Sequence, residues 1–144
     1  MKKFWLMILI TLVCFGISTP ALASNLNETE KVITQLAISM ALDNTGHFNY
    51  QKTEVNSDDS VTIWYIPKNT DQSATLTTLA EVLGAYVGVA RITPGLSDLY
   101  IKIGSDYLVT GELYCLRSWV PTGEMTTEES AALVLKVLGT FKQR

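Results

Sequence analysis

The chain has 144 residues, 47% of them hydrophobic, with 11 basic and 14 acidic side chains and a formal charge of −3. That length suits one domain with one core. Beyond Lys2 and Lys3 the lysines and arginines are scattered singly, without the clustered cations that neutralise a nucleic-acid backbone, so nucleic acid is a poor candidate partner.

The chain starts with Met1, Lys2 and Lys3, continues as an apolar run over residues 4–17, and reaches Ala21, Leu22 and Ala23 before Ser24. A positive start, an apolar stretch and a small-x-small site define a secretory signal peptide cut after Ala23. The apolar run is about 14 residues, short of the roughly 18 to 20 that span a bilayer. Cys14 follows Leu12 and Val13 rather than the small residue of a lipid-attachment site. Residues 1–23 are therefore expected to leave, no stable membrane anchor to remain, and the product to be secreted or held in the cell envelope outside the cytoplasm. Nine basic residues then face fourteen acidic ones.

Residues 24–144 read as a single α+β domain. Cys115 is its only thiol, so no intrachain disulfide can form, and its neighbours Leu113, Tyr114 and Leu116 predict a buried strand position. Asn27 with Glu30 three residues on predicts a helix over 27–43, along which Ile33, Leu36, Ala37 and Met40 recur at helical spacing; Asn44 and Gly46 are expected to end it in left-handed conformations. Residues 48–55 and 61–66 read as a hairpin around a solvated turn of Asn56, Ser57, Asp58, Asp59 and Ser60. Pro67 stops the second strand.

The longest helical pattern covers 71–92, with Leu76, Leu79, Ala80, Leu83, Tyr86, Val87 and Ala90 on one stripe and Thr78 away from its centre. Gly84 and Gly88 inside it predict a close approach of the helix backbone to the sheet or another helix. Leu99, Ile101 and Ile103 alternate with Asp98, Tyr100 and Lys102 as a half-buried strand. A three-residue turn at Gly104, Ser105 and Asp106 then sets Ile103 against Tyr107 and Ile101 against Val109 on a strand over about 107–117. Thr126 and Glu129 form a second capping box for a last helix, apolar over much of its circumference through Phe141.

The order α-β-β-α-β-β-α defines an α+β fold: two layers, with a mostly antiparallel sheet of about four strands packed on helices. No zinc or phosphate-loop spacing is present, and His47 and Cys115 are the only candidates for a base and a nucleophile, so neither metal nor cofactor is expected and no catalytic residue is named. Strand parity sends Thr62, Trp64, Ile66, Tyr100, Lys102, Thr110, Glu112 and Tyr114 to the sheet face away from the helices. Trp64, Tyr100, Tyr114 and Lys102 are the expected binding residues there, since such aromatics stack on sugars or anchor interfaces. Leu133, Leu135 and Leu138 of the last helix are the expected self-association surface. The sequence thus reads as an exported, non-enzymatic protein-binding module that forms a homodimer; the alternative is a small-molecule or glycan binding domain using the aromatic face or a pocket between helix and sheet.

Overall fold

The computed structural model describes residues 25–104 and 108–143; the expected leader and the 105–107 turn lie outside the described residues. Helix α1 spans Glu28–Leu42, capped by Asn27, whose side chain accepts the Glu30 N–H while Glu30 accepts the Asn27 N–H. Strands β1 (Phe48–Val55) and β2 (Val61–Pro67) follow, then helix α2 (Gln72–Ile92), strands β3 (Leu99–Gly104) and β4 (Val109–Cys115), and a 3-10 turn over Arg117–Trp119. Helix α3 (Thr127–Leu138) carries its own reciprocal box between Thr126 and Glu129. A two-residue strand β5, Lys142–Gln143, closes the chain.

The fold is α+β, and the described residues form three α-helices against a mixed five-stranded sheet in the order β1-β2-β3-β4-β5. The β1–β2, β3–β4 and β4–β5 pairs are antiparallel, and β2–β3 is parallel because α2 carries the chain back along the sheet between them. The fifth strand has no alternation to announce it. Helix α3 stops at Leu138, and Lys142 and Gln143 then pair with Glu112 and Gly111.

Helix α1 packs on β1 and α2, and α3 packs on α2 and β4. All three helices therefore cover one face of the sheet. Ile38, Leu42, Ile63, Leu79, Val82, Tyr86, Leu99, Ile101 and Val137 are completely enclosed between the layers. By length and composition α2 would also suit a bilayer, but its Leu79, Val82, Leu83, Tyr86 and Ala90 are buried in this core.

Several expectations change in three dimensions. The buried face of α1 is Thr34, Ile38 and Leu42, whereas Ile33, Leu36, Ala37 and Met40 point outward. The buried stripe of α2 takes in Thr78 and Val82 and leaves Ala80 exposed. A methyl group built at Gly84 or Gly88 meets only open space, so the predicted backbone approach is not made. Asn44 and Gly46 are not left-handed; among the described residues only Asp59 (φ 68°) and Gly104 (φ 140°) have positive φ.

The Asp58–Asp59 turn is solvated on one side only. Asp58 accepts from the Ser60 N–H and hydroxyl, while Asp59 is buried and accepts the Asn25 N–H at 2.6 Å. Across the second hairpin, Ile101 pairs with Leu113 and Ile103 with Gly111, four residues beyond the expected register. An irregularity at Ile103 and Gly104 absorbs a longer connection. Four is an even number, so every side chain keeps its predicted face.

Candidate functional site

Two surfaces display large aromatic or apolar side chains to the outside. The first is the sheet face away from the helices. The parallel register sets Thr62 beside Tyr100 and Trp64 beside Lys102; the next pair sets Tyr100 beside Tyr114 and Lys102 beside Glu112. Two rows result, one of hydroxyls and rings and one of charges around an indole. In the second row the Lys52 ammonium lies 4.4 Å from the Trp64 ring centroid, and Lys102 Nζ is 2.9 Å from Glu112 Oε2. Tyr114 stacks on Trp119 at 5.8 Å, and the Lys136 ammonium lies 5.1 Å from the centroid of that indole.

A hollow of about 430 Å³ opens between these rows, lined by Thr62, Tyr100, Lys102, Glu112, Tyr114 and Lys142. Tyr100, Tyr114 and Lys102 thus come together, whereas Trp64 stands one strand aside beneath Lys52. The contribution of Lys142 depends on β5, which sequence periodicity does not reveal.

The second surface lies at the β1 edge of the sheet. Val32, Ile33, Leu36 and Met40 on α1 are each more than half exposed. Val32 and Leu36 border a shallow groove of about 480 Å³ whose floor is Tyr50, Gln51, Lys52 and Thr53 of β1. Asn56 N–H bonds to Ser60 and β1 keeps that register back to Lys52, so Lys52, Glu54 and Asn56 turn their backbone groups toward β2 while Thr53 and Val55 turn theirs away. The Val55 N–H is accordingly met from outside the sheet by Gln35 Oε1 at 2.9 Å.

The three leucines of α3 divide. Leu133 is buried in the core, Leu138 is half-buried beside it, and Leu135 is exposed. His47 bonds Glu81 at 2.9 Å near the start of β1, at the opposite corner of the sheet from Cys115 at the end of β4, so the two cannot act as base and nucleophile. Cys115 is fully enclosed, and burial pushes its thiol up to about 12. Among the described residues no three of His, Cys, Asp or Glu gather in a way that could hold a metal ion. No protein-family model matches the chain, and no curated protein or solved structure matches it either.

Proposed function

We propose that this chain is an exported, non-enzymatic interaction module that works as a homodimer joined through the β1 edge. The observation that carries this reading is the coincidence of an eight-residue edge strand, met from outside by Gln35 at the Val55 N–H, with an exposed apolar stripe on the helix above it. Edge strands are ordinarily shortened, charged or covered, and apolar surface beyond a few hundred square ångström is rarely left bare. The edge is also self-complementary. A two-fold axis through Thr53 sets Lys52 opposite Glu54 of the second copy, and Glu54 opposite Lys52 of that copy. Val32 and Leu36 of the two α1 helices then meet above the joined sheets. The aromatic face remains free in such a dimer, as a continuous platform for a protein partner.

Light scattering across a dilution series tests the dimer: the mass should approach twice that of the chain. Leu36→Glu should lower it to the monomer, Lys52→Glu should weaken association, and Lys52→Glu with Glu54→Lys together should restore it. A monomer at every concentration, or no rescue by the paired reversal, overturns the edge arrangement.

A second reading is favoured by the 430 Å³ hollow, where the Tyr100 and Tyr114 rings lie beside the Lys102–Glu112 pair. Rings beside hydrogen-bonding groups suit a glycan or other small polar ligand. Trp64 and Trp119 lie close enough to report such binding by fluorescence, and a response lost in Tyr100→Ala but kept in Leu36→Glu would favour this reading.

A further inference from the structure

The strand registers set one row of side chains across all five strands on the aromatic face: Lys52 beside Trp64, Trp64 beside Lys102, Lys102 beside Glu112, and Glu112 beside Lys142. Three lysines thus share a row with one carboxylate, in a chain whose 14 acidic residues outnumber its 11 basic ones. The neighbouring row holds Glu54, Thr62, Tyr100 and Tyr114, and its carboxylate stands at the β1 end, outside the hollow. Two of the lysines have partners: Lys52 lies over the Trp64 ring, and Lys102 bonds Glu112 at 2.9 Å. Lys142 sits on the other side of Glu112, and its ammonium forms no ion pair among the described residues. Two ammoniums against one carboxylate leave the hollow with a surplus positive charge.

We infer that the hollow takes a sugar that carries a carboxylate, a uronic acid residue, with its ring against Tyr100 and Tyr114 and its anion at Lys142. This rests on the glycan reading of the hollow and deepens it. The exposed tyrosine rings offer apolar faces to the C–H side of a sugar, and the Lys102–Glu112 pair offers a donor and an acceptor to its hydroxyls. A neutral sugar is served by those groups alone and leaves Lys142 without a role. A carboxylate neutralises the surplus charge and accepts a charge-assisted hydrogen bond from the ammonium. The volume of about 430 Å³ is of the size that small-molecule pockets ordinarily have.

Calorimetric titration of the purified chain with methyl glucuronide and methyl glucoside, which differ by a carboxylate in place of a hydroxymethyl group, tests the site. The glucuronide should bind about fivefold more tightly at low ionic strength, and that advantage should shrink in about 1 M salt. Lys142→Gln should abolish the advantage and leave the glucoside unchanged. Lys31→Gln makes the same change of charge on α1 and should leave both affinities as they are. Glu112→Gln releases Lys102 to the ligand and should strengthen the glucuronide about threefold, the opposite of what the loss of a merely structural contact would do. Equal binding of the two sugars, with both lost in Tyr100→Ala, overturns the acidic assignment and keeps the glycan reading; no binding of either sugar overturns both. An advantage that survives Lys142→Gln, or a glucuronide affinity that Glu112→Gln does not raise, also overturns the assignment.

Discussion

At the scale of single residues, Cys115 shows how position decides chemistry. Its thiol is enclosed at the end of β4 beneath the helix layer, and its proton is held well above the ordinary value of 9. Below pH 9 the thiol is neutral in both folded and unfolded chains, and its burial contributes fully to stability. Above pH 9 the unfolded chain ionises first, so that contribution fades as pH rises toward 12. The urea midpoint should therefore fall more steeply between pH 9 and 11 in the natural chain than in Cys115→Ala. A thiol reagent at pH 8 should label the folded protein on the order of 100-fold more slowly than the denatured one. The buried position of Cys115 is legible in the sequence because flanking apolar side chains on a strand are a local signal. Asp59 was harder to read: its neighbours are turn formers, and only the fold brings Asn25 over its carboxylate.

Among the elements, the two capping boxes and the strand parities were legible because a box links residues three apart and strand alternation links residues two apart. Thr126→Ala removes the side-chain acceptor of the Glu129 N–H and should cost about 1 kcal/mol in chemical denaturation, with Thr126→Ser close to neutral. Helix α1 marks the limit of this kind of inference. It carries one apolar stripe through Ile38 and Leu42 and another through Ile33, Leu36 and Met40, and periodicity alone cannot say which of them meets the sheet. The outward aromatic set was readable from alternation. Its grouping was not, since Tyr100 joins Thr62 only through the parallel β2–β3 pair and the hollow also needs β5. Gly84 and Gly88 face open space, and their presence in the middle of α2 has no structural explanation here.

For the molecule as a whole, the proposal of export has a direct measure: the intact mass of the extracytoplasmic protein should correspond to residues 24–144, and a product still carrying Lys2 and Lys3 would refute it. The two hairpins of this protein are joined along a single parallel seam, Val61–Tyr65 against Leu99–Ile103, and the only covalent bridge across it is α2 with the loop that follows. Each hairpin can close over a short loop, whereas the seam must wait for the whole of α2 to be laid down. A chain that emerges from its N-terminus first will thus fold its leading hairpin with both flanks bare. The arrival of β3 seals the β2 flank, and the β1 flank remains an edge of the sheet, met from outside at Val55 by Gln35.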